Sequence, residues 1–216
     1  MPTSPAWLSS NDPAFPPELG QYLGDKAPSR IASIGNPDLL NSKPLALICS
    51  LKCPGNIILK TYDLAKQLRE GRVSVIGGFH SPMEKECLQI LLRGSQPVIV
   101  CPPRGLQGMR IPVDHQSALE NGRLLYLSPF PNKFRRPTVE AALFRNRFVA
   151  ALAERILVPY AAPDSKTFEL CRLLISWKKP IYTLPNEKNA ALLNLGAQLI
   201  EENLLTSKRD SEKAGA

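Results

Sequence analysis

Aromatic residues make up only 6% of the 216-residue chain, and there are just two histidines. No apolar run approaches the roughly 18 residues that a membrane-spanning helix needs, which argues against a membrane protein of the helical kind. The opening MPTSPAWLSS has neither a basic start nor an apolar core, so it reads as no secretory signal. Both common phosphate-loop fingerprints, GxGxxG and GxxxxGK[ST], are missing. Cys49 and Cys53 lack a second ligand pair, and with so few histidines a zinc site is not expected. The five cysteines are odd in number and fall mostly inside predicted strands or helices, which suits reduced, buried thiols and a cytoplasmic location. Neither an internal repeat nor a heptad run is visible. The composition calls for no cofactor and no metal.

Positive charge is what the chain has in excess. Lys and Arg number 27 against 19 Asp and Glu, for a net charge of +8 and a pI near 9.4. Such a balance fits a polyanionic partner such as nucleic acid. A basic solvated surface is the plain alternative, so the placement of the cations has to decide.

The chain is organised around Ser74 to Pro112. Ser74-Val75-Ile76 is a short apolar run, and Gly77-Gly78 can turn the backbone as it leaves a sheet. Ser81-Pro82-Met83-Glu84 then combines a cap, a proline suited to the first helical position and the glutamate of a capping box. Met83, Cys87, Leu88 and Leu91 recur at helical spacing, Gly94 closes the helix, and Pro97 to Cys101 reads as a buried strand.

Residues 1–43 form a Pro-rich arm, with six prolines before Arg30, one short helix around Glu18–Leu23 and an edge strand at Ile31–Ile34. The main domain, 44–200, opens on the apolar strand Pro44–Cys49. Asn56 is placed to cap a helix that runs to Glu70 and is stopped by Gly71. Strands near 123–127, 155–160 and 180–184 continue the alternation, with helices capped by Thr138, Ser165 and Asn189, and Ala197–Ile200 is a last edge strand. This rhythm predicts an α/β, Rossmann-like, doubly wound and mostly parallel sheet with helices on both faces. The tail, 201–216, is charged, small and polar, and is expected to fray.

In such a sheet, ligands gather beyond the carboxyl ends of the strands. Ser50 and Lys52 follow the first core strand; Gly77, Gly78, His80 and Ser81 follow the second; Arg104 and Arg110 follow the third; Lys166 opens a later helix. These loops converge on one edge, which favours a phosphate-rich ligand. Lys133, Arg135 and Arg136 add loop charges that suit either phosphate contact or plain solvation. Arg145 and Arg147 are two apart on one helix and so point to different faces. One of them could pair with a core carboxylate, or one or both could meet phosphates bidentately. Cys53 with His80, or His80 with Glu84, could be drawn as a reactive pair, but nothing supplies a third, orienting group. No catalytic residues are therefore assigned, and Glu84 is better explained by its capping box.

At these loops the chain resembles the DNA-processing protein A family (DprA, also called Smf), within the Rossmann-like set that includes the lysine-decarboxylase-like LOG proteins. The similarity runs from about Ala32 to Ala197. Phe144-Arg145-Asn146-Arg147-Phe148 and the small and apolar residues after it are similar to the family's RNR motif. The strand Ile156–Val158 and a loop with Ser165 and Thr167 follow in the family's order. Ile48-Cys49-Ser50 stands where the family has a VGSR-like loop; Val98–Leu106, Ile111-Pro112 and Gly196-Ala197 match further family segments. The family's SGLARGID loop is here IGGFHSPME, its first-loop arginine gives way to Leu51-Lys52, and the PGGxGTxxE motif of the LOG proteins is replaced by Cys101-Pro102-Pro103-Arg104-Gly105. At this length the C-terminal winged helix that many members carry is not expected.

The resemblance implies binding of single-stranded DNA along a basic groove, self-association into a homo-oligomer such as a homodimer, and transfer of DNA to a RecA-type recombinase in transformation or repair, without enzymatic activity. Two further readings stay open: a sensor or hydrolase of a nucleotide or phosphoribosyl compound using the same loops, and a partner-binding scaffold with a dead pocket. Stacking residues separate the first two, and only Phe79, Phe130 and Phe134 fall in these loops.

Overall fold

Apolar strands with no polar alternation must be covered on both faces, and the central strands here are built that way. The computed structural model describes residues 4–201, 204 and 205. Most of the 201–216 tail lies outside the described residues. Among the described residues, nine strands form one sheet in the order β1-β2-β6-β5-β4-β3-β7-β8-β9. The core strands are short and fully covered: β3 (Leu45–Leu47), β4 (Val75–Gly77), β5 (Val98–Val100) and β6 (Leu124–Ser128). On the other side of β3 lie β7 (Arg155–Leu157), β8 (Ile181–Thr183) and β9 (Gln198–Leu199). From β6 to β9 every pairing is parallel.

Two strands from residues 4–43 extend this same sheet. β1 (Ala6–Ser9) pairs antiparallel with β2 (Arg30–Gly35), and β2 pairs antiparallel with β6. The strand expected at the edge is thus the penultimate one, and β1 covers it.

One face of the sheet is packed by α2 (Gly55–Glu70), α3 (Pro82–Leu92) and α4 (Val113–Glu120), through Ile57, Leu64, Leu68, Met83, Leu88, Leu91 and Ala118. The other face carries α1 (Glu18–Leu23), α5 (Val139–Leu152), α6 (Lys166–Ser176) and α7 (Ala190–Leu195), through Leu19, Phe148, Val149, Cys171, Leu174 and Leu192. Helices thus cover both faces, as the alternating pattern requires.

The chain winds one way through β3, β4, β5 and β6. It then crosses by α5 to β7 on the far side of β3, so the winding reverses between β3 and β7. Loops leaving these two strands diverge, and a crevice opens at the strand ends.

Some helix ends differ from the sequence reading. The cap of α2 is Pro54, with no side-chain bond, and Asn56 lies inside the first turn. α3 ends at Leu92, before Gly94. Asn189 holds position before α7 but donates from Nδ2 to Pro159 O and Leu184 O, both at 2.9 Å, so it staples two loops and caps nothing. Thr138 and Ser165 do cap, accepting from Ala141 N and Phe168 N.

Candidate functional site

At the reversal point the two diverging loops are tied by Ser50. Its N–H donates to Tyr160 O at 3.0 Å. Its buried Oγ accepts from Ala162 N at 3.1 Å and lies 3.2 Å from Ser165 Oγ, the cap of α6. Ser50 therefore shapes the crevice from within and offers little surface to a ligand.

Glu84 does the same one strand away. The capping box is present: Ser81 Oγ accepts from Glu84 N at 3.2 Å, while Glu84 Oε2 accepts from Ser81 N and His80 N, both at 3.0 Å. Oε1 reaches across to accept Cys49 N at 3.1 Å. One carboxylate, 7% exposed, thus fastens the end of β3 to the turn that follows β4. That turn is made by Phe79, which takes a left-handed φ of 46°, and neither preceding glycine has a positive φ. Gly78 is needed for a different reason: a Cβ there would overlap the Arg145 guanidinium.

Arg145 is 3% exposed. Nη1 donates to Cys101 O at 2.8 Å and Nε to Asn146 Oδ1 at 2.8 Å. Burial lowers its pKa, and the negative charge of Glu84 acts the other way. With its neighbour Gly78 it locks α5 under the ends of β4 and β5. Of the two arginines, this one has the structural part, held by a backbone carbonyl and a neighbouring asparagine.

The other cations of this edge lie outward. Lys52, His80, Arg110 and Arg147 are exposed, Arg104 is half-buried, and Lys133, Arg135 and Arg136 are exposed on the loop after β6. Lys166 Nζ is exposed too but bonds both carboxylate oxygens of Glu169, at 3.1 and 3.0 Å; such an exposed pair is weak and easily exchanged. Arg147 and Lys166 line a cleft of about 60 Å³ with Asn146 and Glu169. In strand order, the loops bearing Lys133–Arg136, Arg104 and Arg110, His80, Lys52 and Lys166 follow β6, β5, β4, β3 and β7. Four strand spacings of about 4.8 Å make that line about 19 Å long.

Beside it stands an aromatic group. Phe130 and Phe134 stack with ring centroids 5.3 Å apart, and Phe144 meets Phe130 edge-on at 5.9 Å. All three are half-buried. Gly105 N donates to Phe134 O at 2.7 Å, and Ser128 Oγ donates to Arg104 O at 2.7 Å, so the aromatic loop is fixed to the Arg104 loop. Phe79, by contrast, is 5% exposed and belongs to the core.

The eleven residues read from the sequence therefore divide. Ser50, Gly77, Gly78, Ser81 and Arg145 are internal and set the shape of the edge; Lys52, His80, Arg104, Arg110, Arg147 and Lys166 rim it. Two features went unseen in the sequence: the reach of Glu84 to Cys49 and the part of Phe144. Phe144 lies within the RNR-like segment, but only folding puts it against Phe130. Among the described residues, no group of three or more His, Cys, Asp or Glu is placed to hold a metal ion, and no helix is long and apolar enough to cross a membrane.

Fold and site together define a class: a Rossmann-like α/β protein with a cationic rim, flanked by aromatics, at the carboxyl ends of its parallel strands. The chain belongs to the DNA recombination-mediator protein A family, whose model matches residues 6–212. Its fold is similar to that of DNA processing protein A from Streptococcus pneumoniae, with a TM-score of 0.76 at 19% identity over 98% of this chain and 75% of that one. It is likewise similar to DNA processing protein A from Helicobacter pylori, a protein described for its single-stranded DNA binding mode, with a TM-score of 0.73 at 21% identity over 94% of each chain. No curated protein matches the chain.

Proposed function

We propose that the protein binds single-stranded DNA along the carboxyl edge of its sheet, without catalysis, as part of DNA uptake or recombination. The observation that carries this reading is the exposed cationic line lying beside the stacked Phe130–Phe134 pair. Phosphates would meet Lys133, Arg135 and Arg136, then Arg104 and Arg110, then Lys52, then Lys166 with Arg147 beside it, and a splayed base would lie on the phenyl faces, which a duplex cannot offer. Arg145, Ser50, Ser81 and the Gly77-Gly78 pair support that edge from beneath. Family membership and the single-stranded DNA binding of the Helicobacter pylori relative point the same way. A RecA-type recombinase as recipient of the DNA, and self-association of the chain in a cytoplasmic setting, belong to the same proposal.

A nucleotide-sized ligand has less support. The cleft at Arg147 and Lys166 measures about 60 Å³, well below the roughly 300 Å³ at which small-molecule sites begin. The larger cleft, about 470 Å³, is lined by Phe15, Tyr22, Lys43, Leu152 and Lys179 and opens at the opposite end of the strands, away from the cationic rim.

The test is fluorescence anisotropy with a labelled single strand and a duplex of equal length at two salt concentrations. Preference for the single strand is expected, with a log–log salt slope of about −0.7 per phosphate engaged. Replacing Lys133, Arg135 and Arg136 together by Ala should flatten that slope by about 2. Absence of binding at low salt would overturn the reading and move the search to nucleotides.

A further inference from the structure

We infer that the cleft at the amino ends of β3, β7 and β8 is a binding site for a small organic carboxylate with an apolar body. It lies at the end of the sheet opposite the cationic rim, so the inference goes beyond nucleic-acid binding and does not rest on it. The cleft measures about 470 Å³, within the roughly 300–1,000 Å³ of small-molecule sites. One wall is the N-terminal arm. There Pro13, Pro16 and Pro17 have no N–H to offer, and Phe15 stands among them. Leu40 and Leu152 complete an apolar lining that asks for no hydrogen bond from the body of a ligand.

The cations of the cleft divide into one that is spent and two that are available. Lys179 is buried, donates to Ala151 O and Ala153 O, and lies 4.2 Å from the centre of the Tyr22 ring. That ring in turn packs on Trp177 with centroids 5.2 Å apart. Lys179 thus ties the end of α5 to α1 and fixes two walls of the cleft relative to each other. Two carboxylates also line it, Glu18 and Glu154. Their charges act on Lys179, and Arg155 Nε lies 3.9 Å from Glu154 Oε2, so both have a cation at hand. Lys43 and Lys178 are left over. Both are exposed at the cleft, and neither is in an ion pair among the described residues.

The backbone singles out the same two lysines. Lys43 has a φ of 50° and Lys178 a φ of 56°, two of five non-glycine residues with a left-handed backbone among the described residues. Lys43 ends the short helical turn Pro37–Ser42, and Lys178 follows the end of α6. Glycine takes this conformation freely, whereas a residue with a Cβ is strained in it. A long cation stands at both positions beside one cleft, although the backbone alone would favour glycine, so the side chains have a use there. Two free ammonium groups beside an apolar lining select an anion with an apolar body. Glu18 and Glu154 oppose a second negative charge. A carboxylate, with one charge, therefore fits better than a phosphate monoester, which carries about −1.5 to −2 at neutral pH.

The test titrates octanoate into the full chain and follows the backbone amide resonances by NMR, with octanol, octylamine and octyl phosphate as controls. Saturable shifts are expected at Lys43, Glu154 and Lys179 and not at Lys52 or Arg104. Octanoate should bind at least roughly tenfold more tightly than each control. Replacing Lys43 and Lys178 together by Gly should leave the urea midpoint unchanged or raise it, because glycine suits both backbones. The same double variant should lose at least roughly tenfold in octanoate affinity. Leu152→Trp, which puts an indole into the cleft, should abolish binding. The inference is overturned if octanoate shifts none of the cleft amides or shifts the rim instead. It is equally overturned if any control binds as tightly, or if the glycine double variant keeps the wild-type affinity. These outcomes are read from the wild type and the glycine variant even if Leu152→Trp folds poorly.

Discussion

Replacing Glu84 by Gln is the sharpest test of how the rim is held. The carboxylate accepts three backbone N–H groups, from Cys49, His80 and Ser81, and is 7% exposed. Gln keeps the shape but only one acceptor oxygen. If that oxygen keeps the His80 and Ser81 donors, the amide nitrogen confronts the Cys49 N–H, donor against donor. Hydrogen bonds to a charged group are worth about 1.5–3 kcal/mol, and a buried donor left alone costs about 1–3 kcal/mol. The change also removes the negative charge that faces buried Arg145, and an uncompensated buried charge is strongly unfavourable. Together these place the loss at about 3–5 kcal/mol, a large fraction of the roughly 5–15 kcal/mol that holds a domain of this kind. Urea unfolding followed by circular dichroism measures it. Arg145→Met and the double variant complete a cycle, in which non-additivity of about 1–3 kcal/mol is expected. A loss below about 1 kcal/mol would refute the bracing role of Glu84, and strict additivity would refute its electrostatic coupling to Arg145.

Other consequences follow from the same geometry. Gly78→Ala should destabilise the fold by more than about 2 kcal/mol in urea unfolding, because the new Cβ overlaps the Arg145 guanidinium. Phe134→Ala should weaken single-stranded DNA binding by about 1–3 kcal/mol while leaving duplex binding nearly unchanged, as read by anisotropy. Lys179 gives a pH signature. Its Nζ donates to Ala151 O at 3.1 Å and Ala153 O at 2.5 Å and lies 4.2 Å from the Tyr22 ring centre, yet burial lowers its pKa to about 8. Between about pH 8 and the unfolded value near 10.4 the unfolded chain binds the extra proton, so this group makes stability rise with pH across that window. The gain is on the order of 2 kcal/mol, and Lys179→Met should abolish it when unfolding is measured at about pH 7.5 and about pH 10.

By itself, the sequence determined the class of the sheet and the capping of three of its helices. Continuous apolar runs alternating with amphipathic segments admit little besides a doubly wound sheet, and Ser81 with Glu84, Thr138 and Ser165 state their helix starts locally. The order of cations after successive strands was legible for the same reason, since parallel topology brings those loops to one edge. Tertiary structure alone decided which basic residues are available. Arg145 and Arg147 are indistinguishable in a string, but α5 packs against the sheet through one face, so one guanidinium is sealed against Gly78 while the other reaches solvent. The same holds for the aromatics: Phe79 turned inward under β4, and Phe144, silent in the sequence, came to lie against Phe130 across a loop. Local patterns fix local backbone, because capping and periodicity act within a few residues. Burial of a side chain is set by elements far away in the chain, and no local signal carries it.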